Sequence, residues 1–387
     1  MIQQIVRATC CIALVVVATT PVHAANTTSN NKSFNPDISL ILSGTYANLS
    51  ADPDNYTISG ISLAEETGPG ARGLSIGESE LVMSANIDDR FFGRFTAALT
   101  PENTVEVEEA FIQTVGLPGG WAVKAGRMLS GIGYQNSRHS HTWEFVDTPL
   151  VYRALLGNRL ADDGIQFTVL APVDRYLEIG GELLRGNGFP AGGAANQGAG
   201  TRTLFARTGG DVGISKSWRL GLSYVQATAE GRESGDETTP DSFTGTSNIA
   251  GLDFVWKWAE GGDWTKRNLV IVAELLQRSE NGMFDPAGAG AVAYRGTQTG
   301  GYAQAVYGFR PHWRIGARYD WLNSDNTGAL DPAGNAPTRS SVMMDYARSE
   351  FSRIRLQYNY DLSSPTADSQ VYLQYVMSLG SHGAHSY

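Results

Sequence analysis

Apolar and polar residues alternate along much of this chain, and this pattern narrows its possible folds more than any other feature. The alternation recurs in the segments 38–46, 81–87, 91–99, 250–258, 313–321, 354–360 and 371–379. Successive side chains of a β-strand point to opposite faces, so each segment is predicted to form a strand with one apolar face. In 313–321 the other face carries Arg314, Arg318 and Asp320. Charged side chains are costly in a dry core but ordinary beside water, which favours a water-filled barrel over a soluble β-sandwich.

The first residues have the pattern of a secretory signal peptide rather than of a folded element. Arg7 precedes an apolar run at 10–19, and small residues end in Ala24. An uncleaved membrane anchor is the alternative, but it normally needs a longer apolar run. We therefore predict a signal peptide at 1–24, a short N-terminal extension at 25–36 and an outer-membrane β-barrel at 37–387.

The composition of the mature chain excludes several classes of protein. Both cysteines, Cys10 and Cys11, lie in the predicted signal peptide, so a disulfide scaffold, a thiolate metal site and a Cys nucleophile are excluded. Removing Arg7 from the 29 basic residues leaves 28 against 39 acidic ones, a net charge of −11, which argues against nucleic acid as a partner. The mature chain has no 18-residue apolar run, so it is not predicted to contain a transmembrane helix. The other structure that can cross a bilayer is a closed β-barrel.

The spacing of strands and connections predicts the size of the barrel. Sixteen strand-like segments begin near 37, 74, 90, 105, 121, 163, 176, 202, 217, 248, 268, 299, 313, 341, 351 and 369. Short connections such as 116–120 and 213–216 alternate with long ones such as 51–72, 129–160 and 230–246. We predict an all-β fold, a transmembrane antiparallel β-barrel of 16 strands with short periplasmic turns and long extracellular loops in the bacterial outer membrane. Fourteen or eighteen strands remain open alternatives.

Aromatic residues support the same orientation of the barrel. Three tryptophans begin predicted upward strands and two end a downward one, at positions 121, 218, 313, 256 and 258. All five are expected at the periplasmic interface, where aromatic belts form. The chain also ends in Tyr387, which resembles the C-terminal aromatic signal of outer-membrane barrels.

The connection 129–160 is the longest between predicted strands, and long connections of this kind are usually functional or disordered. Its charged residues and histidines, predicted to form a pore constriction, are Arg138, His139, His141, Glu144, Asp147, Arg153 and Arg159. Opposed charges at a constriction would admit small polar solutes; alternatively, these charges pair with the wall and only hold the loop in place. His139 and His141 are also predicted metal ligands, because imidazole binds zinc, with solvated loop histidines as the alternative.

The barrel wall is predicted to carry charges toward the lumen. Residues on the face opposite the apolar one are Arg94, Lys124, Glu178, Glu182, Arg314, Arg318, Arg353 and Arg355. The last four lie on strands close in the chain and are predicted to form a basic stripe inside the lumen. Cross-strand pairing with Asp320 and Glu350 is the alternative.

Several stretches of the chain together resemble a known family. They are VEVEEAFIQT (105–114), WAVKAGRM (121–128), the 142–170 run, GGYAQAVYGF (300–309) and WRIGARYDWL (313–322). With them the chain resembles bacterial outer-membrane porins, most of all the sixteen-stranded phosphate-selective porin O and P group. The resemblance implies a homo-trimeric channel whose third extracellular loop, here 129–160, folds into the barrel. The chain departs from that group in having few lysines and none in this loop, which argues against phosphate selectivity.

These patterns predict a porin-like channel for passive diffusion of small hydrophilic solutes or ions. Its predicted partners are the lipid bilayer and these solutes, and no cofactor is predicted. No catalysis is predicted either, because the lipid-facing side lacks the paired Ser and His that an outer-membrane lipase needs. A metal (zinc)-related uptake protein or receptor-like barrel is the alternative. Receptors that depend on an energy-transducing partner carry a large plug domain, for which the residues before the first strand leave no room.

Overall fold

The described part of the chain forms one closed antiparallel β-sheet. A computed structural model describes residues 36–64, 67–192, 198–235, 238–326 and 334–380. The predicted signal peptide, residues 25–35 of the predicted extension, and Tyr387 lie outside these residues. Among the described residues, no helix is long and apolar enough to span a bilayer.

Sixteen strands run round the barrel, one of them in two pieces. Their bounds are β1 Asp37–Leu49, β2 Gly73–Ser75 and Ser79–Asn86, β3 Phe91–Leu99, β4 Val105–Thr114, β5 Trp121–Leu129, β6 Ala161–Leu170, β7 Tyr176–Leu184, β8 Thr201–Val212, β9 Lys216–Ser234, β10 Asp241–Ala259, β11 Asn268–Asp285, β12 Val292–Arg310, β13 Trp313–Asn326, β14 Thr338–Ser349, β15 Ser352–Asp361 and β16 Asp368–Gly380. Short helical segments are α1 Leu150–Leu156 and the 3-10 turns Pro53–Asn55, Pro118–Gly120, Ser140–Thr142 and Glu260–Gly262.

Each strand pairs with its neighbours in the chain, and the first and last strands close the ring. β1 pairs with β16 from Ser39 opposite Gly380 to Leu49 opposite Gln370. Both pieces of β2 pair with β1, so they are one strand interrupted near Gly77, whose φ of 60° favours glycine. The prediction of a 16-stranded transmembrane antiparallel barrel is therefore confirmed.

The predicted alternation sets which side chains face outward. The residues predicted to face lipid are exposed on the outer surface, among them Ile38, Leu252, Phe254, Ile315, Tyr319, Ile354, Leu356, Leu373 and Tyr375. The alternate positions point into the barrel, as with Glu274, Arg318 and Arg355, each at most 3% exposed. The lipid thus enforces the period of two that the sequence displays.

Two strands begin earlier than the sequence predicts. β10 begins at Asp241 rather than near 248, and β12 begins at Val292 rather than near 299. Each has 19 residues, whereas about 10 residues suffice to cross the bilayer. The added residues exceed the length that a bilayer crossing needs, so lipid does not require an apolar face there, and the alternation in the sequence fades.

Candidate functional site: the loop inside the barrel

The connection between β5 and β6, residues 130–160 and here called L3, lies inside the barrel. Within L3, all of which is described, Ser137 is the only exposed residue. The loop forms hydrogen bonds with inward-facing side chains on both sides of the barrel, from Glu80 on β2 to Glu274 on β11 and Gln357 on β15. L3 therefore crosses the lumen and occupies part of it.

The helix α1 packs L3 onto one side of the lumen through an apolar core. It begins after Pro149 and ends at Gly157, which has a φ of 58° as expected for a glycine at a helix C-terminus. Leu150, Val151 and Leu155 are fully buried against a patch on the inner wall formed by residues including Val272, Leu276 and Leu322. Burial of one such side chain contributes about 1.5–3 kcal/mol, so this patch is a major attachment for L3.

Asp147 is the centre of a buried ionic network that joins L3 to three wall strands. Arg318 donates to Asp147 Oδ1 at 2.9 Å, and Arg339 lies 2.7 Å from Oδ2. Amide groups of Gln357 and Asn359 also donate to this carboxylate, at 2.7 and 3.1 Å. Burial alone would raise the pKa of Asp147, but the nearby guanidinium groups outweigh burial and hold that pKa well below its usual range.

Asp147 also contacts a cation from L3 itself. Arg153 of α1 lies 3.6 Å from Asp147 Oδ2 and is buried with it. Next to this network, the Leu150 amide at the start of α1 donates to Asp320 Oδ1 at 2.9 Å, which satisfies a backbone group that a helix leaves without an internal partner. The predicted constriction residues Asp147 and Arg153 therefore fix the helix to the wall.

Glu144 provides a second ionic attachment. Arg314 donates to Glu144 at 2.9 Å and to Asp345 at 2.6 Å. Arg353 donates to the carbonyl of His141 at 2.6 Å, and Arg355 donates to a neighbouring loop carbonyl at 2.8 Å. Burial opposes ionisation of Glu144, but Arg314 and the other nearby arginines lower its pKa to about 2.

The predicted basic stripe lies on the lumen side of the wall, but L3 covers most of it. Arg318, Arg353 and Arg355 are each at most 3% exposed, and all three contact L3. Arg318 and Asp320 are themselves paired at 2.9 Å. The arrangement matches the alternative in which loop charges pair with the wall and hold the loop in place. Arg314 alone of the four keeps part of its side chain exposed.

Glu274 on β11 anchors the beginning of L3. It accepts hydrogen bonds from the amides of Tyr134 and Gln135 at 2.8 and 2.9 Å. The hydroxyl groups of Tyr152 and Tyr302 donate to the same carboxylate at 2.9 and 2.6 Å. On β7, the predicted wall residue Glu182 is likewise buried, and it accepts from the Gly131 amide at 2.8 Å and from the Ser130 hydroxyl.

The two histidines of L3 face the opposite side of the lumen, where they contact carboxylates of the wall. Their rings stack with centroids 5.8 Å apart. His141 Nδ1 lies 2.8 Å from Glu80 Oε1, and His139 lies between Glu108 and Glu109, each 2.9 Å from one ring nitrogen. Burial lowers the pKa of His139, but its hydrogen bonds to the two carboxylates outweigh burial and raise the pKa to about 10.

Arginines flank this cluster of histidines and carboxylates. Arg159, at the end of L3, donates to Glu78 at 3.0 Å and to Glu108. Arg94, a predicted wall residue, lies 3.0 Å from Glu109. The predicted constriction residue Arg138 donates to the Thr142 carbonyl at 2.7 Å and to the Tyr134 hydroxyl. Each predicted site residue of L3 therefore has a partner within the loop or on the wall.

A ring of partly exposed cations remains on the side of L3 nearest the short turns. It comprises Arg94, Lys124, Arg138, Arg207, Arg219, Lys257 and Arg314. Four of these cations pair with carboxylates among the described residues. Arg94 and Arg314 have the partners given above, Arg207 pairs with Glu178 at 3.0 Å, and Arg219 pairs with Asp253 at 2.7 Å. A cavity of about 500 Å³ opens here between L3 and the turns, lined in part by Arg138, Lys257 and Arg314. The short turns mark this as the periplasmic end.

The residues that the sequence did not single out are the wall partners of L3. The acidic ones are Glu80, Glu108 and Glu109, which contact the histidines. The basic ones include Arg339, which pairs with Asp147, and the ring cations Arg207 and Arg219. One signal was available. The adjacent carboxylates Glu108 and Glu109 interrupt the alternation of 105–114, and such an interruption predicts a β-bulge.

A closed 16-stranded barrel with an apolar outer surface, a charged interior and an inward-folded loop is the architecture of outer-membrane porins. Solved structures with this fold include the trimer form of OmpT, an outer membrane protein of Vibrio cholerae (12% identity, 89% of this chain, 99% of that chain, TM-score 0.56). They also include the outer membrane channel DcaP of Acinetobacter baumannii (11% identity, 89% of this chain, 97% of that chain, TM-score 0.57). A third is an anion-selective porin from Comamonas acidovorans (10% identity, 89% of this chain, 99% of that chain, TM-score 0.52).

The chain is therefore an outer-membrane β-barrel with the porin fold. In sequence it is 31% identical over 337 residues to an uncharacterized protein of Aquifex aeolicus (strain VF5). The aligned region covers 82% of this chain and 70% of the Aquifex protein. The chain belongs to the same family as the Aquifex protein. No protein-family model matches the chain.

Proposed function

We propose that this chain is a porin-like channel through which small hydrophilic solutes and ions diffuse across the outer membrane, past L3. The observation that supports this most strongly is the ring of partly exposed charged side chains that L3 leaves on the periplasmic side of the lumen. Charged side chains that are partly exposed inside a barrel require water, and a water-filled lumen permits diffusion. The proposal includes no catalytic step.

The cations in the ring favour small anions over cations as the solutes. Lys124 contributes a charge that is paired with no carboxylate in a salt bridge among the described residues, and its ammonium lies 4.6 Å from the centre of the Phe111 ring. Positive charge along a narrow passage raises the local concentration of anions. Phosphate selectivity is not part of the proposal, because the chain has few lysines and none in L3. Metal-related uptake stays the alternative prediction.

The proposed channel is a homo-trimer, and a trimer form of OmpT of Vibrio cholerae has the same fold. Recording from single insertions in planar lipid bilayers tests both parts of the proposal. We expect discrete conductance steps, with each insertion closing in three equal steps because three separate lumens conduct in parallel. A folded, inserted protein that carries no current would contradict the channel, whereas single closing steps would contradict the trimer.

Replacing Lys124 by Gln is expected to reduce the preference for chloride over potassium, because it removes one positive charge from the lumen and leaves L3 attached. The measurement is the reversal potential in a KCl gradient. Arg127→Gln is the matched control, since it removes one positive charge from the same strand at an outward position. Equal shifts in the two variants would show that the charge at 124 does not face the ions. Adding inorganic phosphate to the same recording tests phosphate selectivity, and we expect no block of the chloride current.

A further inference from the structure

We propose that Glu80, Glu108 and His139 form a binding site for one divalent transition-metal ion of the zinc type, which ties L3 to the barrel wall. One ligand atom from each of these residues lies within 4.8 Å of the other two. The three come from β2, β4 and L3. The site is independent of conduction, so it does not rest on the proposed channel function.

The distances inside the cluster suit small metal ions with nitrogen and oxygen ligands. His139 Nδ1 lies 3.4 Å from Glu80 Oε2 and 2.9 Å from Glu108 Oε2. In a tetrahedral zinc site with bonds of about 2.0–2.2 Å, ligand atoms are about 3.3–3.6 Å apart. Small side-chain adjustments would therefore bring all three atoms to bonding distance from one ion.

One buried carboxylate oxygen of the cluster, Oε2 of Glu80, has no hydrogen bond among the described residues. The side chain of Glu80 is fully buried. That oxygen points toward His139 Nδ1, while the other oxygen bonds His141. A buried carboxylate oxygen without a hydrogen bond is costly, and a metal ion at this position would satisfy it.

A β-bulge places the second carboxylate. Thr96 on β3 lies opposite Glu109, and the next residue, Ala97, lies opposite Val107, so Glu108 is the extra residue of the bulge. Consecutive residues of a regular strand point to opposite faces, but here Glu108 and Glu109 both contact His139 from inside the barrel. Bulges often re-aim a side chain beside a functional site, and this one turns Glu108 toward the other two ligands.

The surroundings of His139 match those of metal-bound histidines. Its second ring nitrogen, Nε2, lies 2.9 Å from Glu109 Oε2, and a carboxylate in that position typically orients a histidine that binds metal. Arg94 forms a salt bridge with Glu109, and Arg159 forms one with Glu108. The four carboxylates at positions 78, 80, 108 and 109 outnumber these two guanidinium groups, and a divalent ion that replaces the proton shared by His139 and these carboxylates would leave the cluster neutral.

The donor set defines the class of metal. One imidazole nitrogen and two carboxylate oxygens suit Zn²⁺ and similar first-row ions, and three protein ligands leave a fourth position for water or a solute. Arg159 and Glu78 are partly exposed beside the cluster, and Arg159 also lines a cavity of about 630 Å³ on the opposite side of L3 from the cation ring.

Isothermal titration of the purified full chain with ZnCl₂ in detergent tests the site. We expect one Zn²⁺ per chain, with binding lost in His139→Gln and in the isosteric double variant Glu80→Gln/Glu108→Gln. Glu109→Gln is expected to weaken binding by about 10–100-fold, because it removes the group that orients the ligand. His312→Gln is the matched control, since this exposed histidine bonds the Ala347 carbonyl at a periplasmic turn.

A second pair of histidines near the C-terminus requires its own control. His382 and His385 lie close in the sequence, so the titration is repeated in a His382→Gln/His385→Gln background. X-ray absorption of the zinc-loaded wild-type chain provides a measurement that needs no variant, and we expect one nitrogen and two carboxylate ligands. Absence of Zn²⁺ binding, binding that survives Glu80→Gln/Glu108→Gln in a folded barrel, or a spectrum with two imidazole ligands would each overturn the proposal.

Discussion

Replacing residues 130–160 by the dipeptide Asn-Gly is expected to yield a folded barrel whose conductance is several times that of the wild-type chain. The strands on either side of L3 pair to their ends, with Leu129 directly opposite Ala161. A two-residue Asn-Gly turn joins strand ends in that register. Barrel closure by β1 and β16 does not involve L3, so the sheet remains complete while the obstruction in the lumen is removed.

The replacement changes the interior of the wall in a defined way. Inward-facing groups such as Glu274, Asp320 and Arg353 lose their loop partners but gain water, so they remain solvated. The apolar patch around Val272 becomes exposed to water. The barrel is therefore expected to be less stable, because α1 no longer buries this patch. Conductance in planar bilayers and heat-dependent mobility on electrophoresis measure the two effects separately.

Shortening the exposed connection 286–291 to the same dipeptide provides the control. That connection joins β11 to β12 outside the barrel, so the conductance of this variant is expected to equal that of the wild-type chain. If the L3 replacement folds and its conductance is unchanged, the loop does not limit the flow of ions, and the proposed channel would need another constriction.

The strands could be predicted from the sequence because lipid acts on every one of them in the same way. An apolar outer face is required wherever a strand crosses the bilayer, so the pattern at 250–258 or 354–360 identifies both the strand and its orientation. The same pattern says only that Arg318 and Arg355 point inward. It does not say what occupies the interior, and here both side chains are covered by L3 rather than by water.

The partners of L3 could not be predicted, because they depend on contacts between residues far apart in the chain. Asp147 meets Arg318, 171 residues later, and His141 meets Glu80, 61 residues earlier. Nothing local in the sequence specifies such pairs. The resemblance to porins implied that the third loop folds inward, but it did not imply the apolar patch under α1, since porin lumens are expected to be polar.

Asp147→Ala is expected to release L3 from the wall. The change leaves Arg318, Arg339 and Arg153 buried with one fewer negative charge, and removal of one partner from a buried ionic network costs about 3–5 kcal/mol. In the wild-type chain L3 lies inside the barrel, so trypsin is not expected to reach its arginines. In the variant we expect rapid cleavage within L3, a lower free energy of unfolding in urea and a larger, noisier conductance.

The exposed pair formed by Arg127 and Asp163 supplies the matched control for this change. These side chains lie 2.7 Å apart, are 46% and 42% exposed, and face away from the lumen. Exposed pairs contribute about 0–1 kcal/mol, so Asp163→Ala is expected to leave L3 protected from trypsin. Equal sensitivity to trypsin in the two variants would contradict the role of Asp147 as the main ionic attachment.

The network also predicts how the attachment depends on pH. Because the pKa of Asp147 is lower in the folded chain than the usual value of about 3.9, its stabilising effect is present above pH 4 and is lost only as the pH falls through the lower folded pKa. Protection of L3 from an acid-active protease should therefore be the same at pH 7 and pH 5. Adding Arg339→Gln to Asp147→Ala removes one of the buried cations that the single variant leaves with one fewer carboxylate. The double variant should therefore regain part of the lost protection, whereas two independent effects would simply add.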